Sequence, residues 1–220
     1  KYRKPGTLIT SNTSGIPIYN SFATKDNLTN AEILKIMEER EALDANVGER
    51  YVYNNAGYVM LALIIEKVSH QSLAEFLKEN IFKPLKMKNT LVGDTSKIDL
   101  KNRAIGYNVI GELDDYTVSH TGSTSMFSNV DDLFLWDQAL YTEKLVSKKT
   151  IEEAFSPVIL NNGSVSNYGF GWFLNPEKKS VNHSGSDFGY RAFIMRELDK
   201  KNTYVWLTNA GNAIPKDEMN

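Results

Sequence analysis

Cysteine is absent from all 220 residues, which excludes disulfides, thiol nucleophiles and zinc–thiolate centres outright. An excess of charge is missing too: 25 Lys and Arg against 27 Asp and Glu leave a net charge of −2. A nucleic-acid binder would carry a basic stripe, so no nucleic-acid partner is expected. The longest apolar run, Tyr58 to Ile65, falls short of the ~20 residues that cross a bilayer, so no transmembrane segment is expected. Of the three histidines, His70 and His120 lie too far apart along the chain to suggest a metal set. Internal repeats and low-complexity tracts are lacking. What is present is ordinary: 41% hydrophobic and 24% charged residues, enough for one sizeable globular core.

Residues 1–27 are punctuated by Pro5-Gly6, Gly15 and Pro17 among Ser, Thr and Asn, and read as loop. Thr29 with Glu32 three residues on forms a capping box ahead of Ala31, Ile33, Leu34 and Met37, which predicts a helix. Asn54 or Asn55 starts the next helix, reaching about Val68. Val59 to Ile65 is apolar without interruption, so this helix is expected to be buried on all sides. Ser72 and Glu75 make a second capping box, followed by Leu73, Phe76, Leu77 and Ile81, and Pro84 is expected to end that region. Gly93 to Thr124 is irregular. Ser128 to Asp131 caps a helix with the stripe Leu133, Trp136 and Leu140, and Ser147 caps another through Ile151 and Phe155.

After Asn161-Asn162-Gly163 the period changes from helical to alternating. Tyr168–Leu174, Lys179–Ser184, Tyr190–Leu198 and Thr203–Thr208 are short, aromatic and branched, as strands are. Helices at about 28–156 followed by an antiparallel meander at about 166–209 indicate an α+β fold.

Two short segments stand out chemically: Tyr53-Asn54-Asn55 at the start of the apolar helix and His183-Ser184-Gly185 on a late strand. Taken singly, Tyr53 and Asn55 are an aromatic anchor and a helix cap, and His183 is a hydrogen-bonded strand histidine. Asp131 and Asp132, adjacent at a helix start, read as capping and dipole partners. Ser123 and Ser125 sit in a Gly-Ser-Thr-Ser loop with nothing beside them in sequence to activate a nucleophile. Tyr168, Phe170, Trp172 and Phe173 read as core packing, with one face free to line a cleft.

Read together, five segments in order give a resemblance. Asn12-Thr13-Ser14-Gly15-Ile16-Pro17, Tyr51 through Val68, Ile81 through Met87 (with Lys86 where glycine is usual), Met126 through Trp136, and His183-Ser184-Gly185 resemble the serine β-lactamase-like superfamily. The likeness is to its branch of class C β-lactamases, D-alanyl-D-alanine carboxypeptidases and esterases. It implies hydrolysis through an acyl-serine, with no metal or organic cofactor and a small-molecule or peptide substrate. Tyr53 would pass protons, Asn55 would hold a substrate carbonyl, Ser184 and Gly185 would lie along the substrate, and the Ser186 N–H would be an oxyanion donor. His183 stands where that family often has lysine, which moves weight from carboxylate-bearing substrates toward esters and amides.

The family nucleophile is Ser-x-x-Lys, and no serine in the 220 residues has lysine three positions on. A phenol with a pKa near 10 needs nearby positive charge to act as a base, and His183 is mostly neutral near pH 7. The resemblance therefore implies one β-lactamase-like domain over 1–220 that lacks its N-terminal strands and nucleophile helix and is short at its C-terminus. Such a chain would be inactive alone and part of a longer enzyme, or else a noncatalytic relative that kept the cleft. Its sheet would expose an uncovered face and an unpaired edge through which copies would associate. The family also points to an exported or envelope location.

Overall fold

The chain is described here from a computed structural model covering residues 28–39, 45–93, 102–115 and 119–211. The loop expected over 1–27, the Asn12–Pro17 segment and the polar end after Gly211 lie outside these residues, as does part of the irregular stretch before Thr124.

The helical part begins with α1 (Asn30–Glu38), where Thr29 and Glu32 form the expected reciprocal box. In α2 (Asn55–Ser69) the cap is Asn54, whose side chain accepts the Ala56 N–H at 2.7 Å. Asn55 is thus the first helical residue and not the cap. Helix α3 (Leu73–Leu77), with its Ser72–Glu75 box, runs through a π turn at Lys78–Phe82 into α4 (Lys83–Leu85). Pro84 does not end this run as the sequence suggested. It lies inside α4, directly after the π turn, and the helical run continues one residue beyond it. The stop comes at Lys86, which is left-handed at φ 62°, the conformation that makes glycine usual at that position.

The expectation that α2 is buried all round is corrected. Ala56, Val59 and Ala62 are buried, whereas Leu61, Ile64 and Val68 are exposed. Among the described residues α1 and α3 pack on α2 from one side, so a uniformly apolar helix is covered along one stripe only. Two core clusters result. Ile33, Ala56 and Val59 form one, and Ala62, Leu73, Phe82, Leu85, Met87, Val92 and Ala139 the other.

A two-strand ribbon, β1 (Leu91–Val92) with β2 (Met126–Phe127), leads into α5 (Val130–Ala139), capped by Asn129. Asp132 is more than a dipole partner. It is buried and accepts from the Asn89 N–H at 2.7 Å and the Thr90 hydroxyl at 2.8 Å, tying α5 to the chain entering β1. Helix α6 (Lys148–Ala154) follows its Ser147 cap, then a hairpin of β3 (Val158–Ile159) and β4 (Val165–Ser166).

The main sheet is antiparallel in consecutive order: β5 (Phe173–Asn175), β6 (Ser180–Asp187), β7 (Tyr190–Glu197), β8 (Asn202–Thr208). Helix first and meander second is the expected α+β arrangement. The strand anticipated over Tyr168–Leu174 shrinks to β5 because Gly171 is left-handed at φ +77° and Gly169 presses its backbone onto the Ala154 carbonyl. Strand β6 runs past Ser184 to Asp187.

Register puts Arg196, Ile194, Thr203 and Val205 on one face and Met195, Phe193, Tyr204 and Trp206 on the other. The first face meets α5. Arg196 and Asp137, with side chains 1% and 0% exposed, pair at 2.5 Å, and the Thr203 hydroxyl donates to the same carboxylate at 2.8 Å. The Arg196 guanidinium lies 4.4 Å over the Tyr141 ring. On the other face Tyr204 and Trp206 are exposed, and among the described residues the outer edge of β8 has no strand partner.

Removing one partner of a buried ion pair leaves the other charge uncompensated. Asp137→Ala is therefore expected to cost about 3–5 kcal/mol in urea unfolding followed by circular dichroism. Arg196→Met added to it should cost less than the sum of the single changes. A loss below about 1 kcal/mol for Asp137→Ala would contradict a pinning role.

Candidate active site

The extended chain before α2 turns the rings of Tyr51 and Tyr53 toward Tyr168, at centroid distances of 5.1 and 6.1 Å. The Asn54 cap then starts the helix, so that Asn55 and, one turn on, Tyr58 face the same space. From the sheet side β6 presents His183, whose ring lies 6.1 Å from that of Tyr53. Tyr53, Asn55, Tyr58, Gly122, Ser123, Tyr168, Gly171 and His183 line one cleft of about 190 Å³. Two neighbouring residues singled out in the sequence, Tyr53 and Asn55, are thus brought together with the distant His183.

The other three are placed differently. Pairing with β7 puts Ser184 and Ser186 on the face of β6 opposite His183 and Gly185, so neither serine side chain faces the cleft. Ser184 contributes its carbonyl, which lies 2.7 Å from His183 Nδ1. Gly185 and Ser186 are exposed beyond the cleft. Strand β5 pairs only Ser180, Val181 and Asn182, so among the described residues β6 from His183 onward has an open edge on that side. At Gly185 an added Cβ would meet only Ala192 Cβ, at an ordinary 3.6 Å. The fold itself does not demand glycine there, which is consistent with space kept for a ligand beside the strand.

The loop carrying Ser123, read from sequence as plain connection, forms a wall of the cleft and is tied to four elements. Asn30 of α1 exchanges hydrogen bonds with Thr121 at 2.8 and 3.1 Å. Gly122, at φ +100°, lies so close to α2 that a Cβ would stand 2.4 Å from the Tyr58 carbonyl oxygen. The Ser125 carbonyl accepts from Gly93 N–H beside β1, and the Thr124 hydroxyl donates to Asp187 at the end of β6. Tyr58 and Tyr168 are the other lining residues that sequence reasoning left unassigned. Tyr168 carried a faint signal in its aromatic alternation; Tyr58 carried none, being one apolar-looking position of α2.

Among the described residues no Lys or Arg lines this cleft, and the electrostatics follow. Burial, then the neighbouring Tyr58, pushes the Tyr53 phenol above the usual range. Burial raises Tyr168 much further, helped by a hydrogen bond with Tyr58. Burial also lowers His183, against a smaller opposing effect of its bond to Ser184. Near neutral pH these effects hold Tyr53, Tyr168 and His183 in their uncharged forms. Tyr53 stands there as an acid, with no cation among the described lining residues to make it a base.

A family model described as Beta-lactamase matches residues 10–220. The chain belongs to the β-lactamase family. Within that family it is 38% identical over 224 residues to penicillin-binding protein 4* of Bacillus subtilis (strain 168), covering 90% of this chain and 50% of that protein. Protein flp of Staphylococcus aureus (strain MW2) is 29% identical over 218 residues, covering 93% of this chain and 43% of that one. Among solved structures, the octameric penicillin-binding protein homologue from Pyrococcus abyssi superposes with a TM-score of 0.73 at 30% identity, over 85% of this chain and 45% of that one. A D-amino acid amidase from Ochrobactrum anthropi shares the fold, with a TM-score of 0.68 at 22% identity over 86% of this chain and 65% of that one. This β-lactamase-family chain spans about half the length of the curated relatives it matches. Membership bears out the resemblance, and the likeness to these structures bears out the α+β fold class.

The two glycines make opposite predictions. Gly122→Ala should lose about 1–3 kcal/mol of stability, since it forces a left-handed alanine against α2 backbone. Gly185→Ala should leave stability unchanged or raise it by up to about 1 kcal/mol. Thermal unfolding of the two variants checks both, and equal effects would undo the distinction drawn here between a glycine required by packing and one that is not.

Proposed function

We propose that this chain supplies the tyrosine, asparagine and strand walls of an acyl-serine hydrolase site that acts on an ester, amide, D-amino-acid peptide or β-lactam. The observation behind this reading is the convergence of Tyr53, Asn55 and His183 on one cleft beside the open edge of β6, in a chain of β-lactamase family. A substrate carbonyl lying along that edge would take a hydrogen bond from the Ser186 N–H, with Asn55 on its other side. A serine oxygen would attack the carbonyl carbon, its proton passing by way of the Tyr53 oxygen to the leaving group. That step needs Tyr53 as phenolate at the moment of attack. Burial and the tyrosines work against it, so a cation must be brought to the cleft, and the family's Ser-x-x-Lys would bring cation and nucleophile together. On its own residues, the chain is inactive. The neutral β6 wall favours substrates with no carboxylate at that point.

One observation favours a second reading, a noncatalytic binding relative: no cation stands among the described residues that line the cleft, and the 220 residues hold no Ser-x-x-Lys. Association of copies belongs to the same proposal. The exposed Tyr204 and Trp206 beside the free edge of β8 suit a self-complementary contact, and the Pyrococcus homologue is octameric. Light scattering after size exclusion would give a single monomer mass if this is wrong.

The hydrolase reading is tested by labelling with a fluorophosphonate and weighing the intact protein. The chain alone should give no adduct. Fused behind a segment of the family that carries Ser-x-x-Lys, it should give one adduct on that serine and turn over a p-nitrophenyl ester. Tyr53→Phe in the fusion should lower kcat by about 10²–10⁴. A folded fusion with neither adduct nor turnover favours the noncatalytic relative.

A further inference from the structure

The cleft contains a residue whose work is separate from that of the family motifs. Tyr168 Oη lies 3.1 Å from His183 Nε2, and His183 Nδ1 lies 2.7 Å from the Ser184 carbonyl oxygen. A carbonyl oxygen only accepts, so Nδ1 carries the hydrogen. In the neutral ring Nε2 is then a bare lone pair, and the Tyr168 hydroxyl must donate to it. One fixed carbonyl on β6 thus sets the direction of a chain: Tyr168 to His183 to Ser184. Hydrogen bonds aligned head to tail in this way reinforce one another.

Tyr168 is held for this task from several sides. Its ring packs edge-on against Phe173 at 4.8 Å and against Tyr51 at 5.1 Å. The following turn is pinned to the end of α6 by the Phe170 N–H, which donates to the Ala154 carbonyl at 3.0 Å, and Gly169 packs against that same carbonyl. The hydroxyl therefore has little freedom to leave His183.

We propose that Tyr168 is a positioning residue that holds His183 as the neutral Nδ1–H tautomer with both ring nitrogens occupied. Two consequences follow for chemistry in the cleft. His183 has no lone pair to offer as a general base, and its one hydrogen points into its own strand and away from a substrate. Because the relay ends on a backbone carbonyl, it cannot pass a proton onward. Tyr53, which stands next to His183 and Tyr168, therefore draws neither a base nor a cation from them. As a statement about catalysis this rests on the hydrolase reading, but its test needs no activity.

The test is nitrogen-15 NMR of the imidazole in the intact chain at pH 8, with the amide spectrum confirming that each variant is folded. The wild type should show His183 protonated at Nδ1 and unprotonated at Nε2. Tyr168→Phe should shift the Nε2 resonance toward that of a nitrogen without a hydrogen bond. Tyr58→Phe, which removes no hydrogen bond to His183, should leave the tautomer unchanged. Protonated Nε2 in the wild type, or an Nε2 resonance indifferent to Tyr168→Phe in a folded protein, would overturn the assignment. Should the labelling fusion stay inactive while these resonances behave as expected, the hydrolase reading fails and the positioning role stands.

Discussion

Arg196 reaches from β7 to the Asp137 carboxylate on α5, and neither side chain meets solvent. Taking two charges out of water costs several kcal/mol per ion, recovered only when geometry is good and the remaining polar atoms are satisfied. Here the carboxylate also takes the Thr203 hydroxyl and the guanidinium lies over Tyr141. Such a pair tolerates one arrangement. A shift of β7 by one residue would move Arg196 to the opposite face and leave both charges stranded. Helix α5 in turn holds the chain entering β1 through Asp132. It thus acts as a beam with the sheet fixed at one end and the helical part at the other. The distance across the cleft, from His183 on β6 to Tyr53 before α2, depends on that beam.

The features legible in the sequence are those whose causes are local. The Thr29, Ser72 and Ser147 caps, the helical stripes and the meander each involve residues a few positions apart, and they stand where their patterns put them. The motif residues Tyr53, Asn55 and His183 were legible too, as a resemblance spread over the chain. What escaped reading depends on partners distant in sequence. An uninterrupted apolar helix gives no hint of which stripe is covered. Arg196 and Asp137 look like surface charges until β7 and α5 are docked. The Tyr168 strand was cut short by backbone contact between Gly169 and Ala154, which no alternation of side chains reveals. The placement of Ser184 and Ser186 away from His183 is simple strand geometry, but it matters only once the cleft's side of β6 is known.

The cleft is unusual in how it handles polarity. Three tyrosines and a histidine line it, with no Lys or Arg among the described lining residues, and burial pushes each shifted group toward its uncharged form. A site of this kind is stable as a resting surface because nothing in it needs a counterion. For the same reason it cannot start proton chemistry unaided. Asn54 shows how the structure separates duties at close quarters: it takes the capping role, so that its neighbour Asn55 can face the cleft.

The four strands of the main sheet follow one another along the chain and are joined by short turns. Each pairs with its neighbour in sequence, and closing such short loops carries little entropy cost. The cleft is different in kind, since Tyr53 and Asn55 must meet a strand that begins at Ser180. The binding surface exists only with helical block and meander docked together, and the site is a property of neither half by itself.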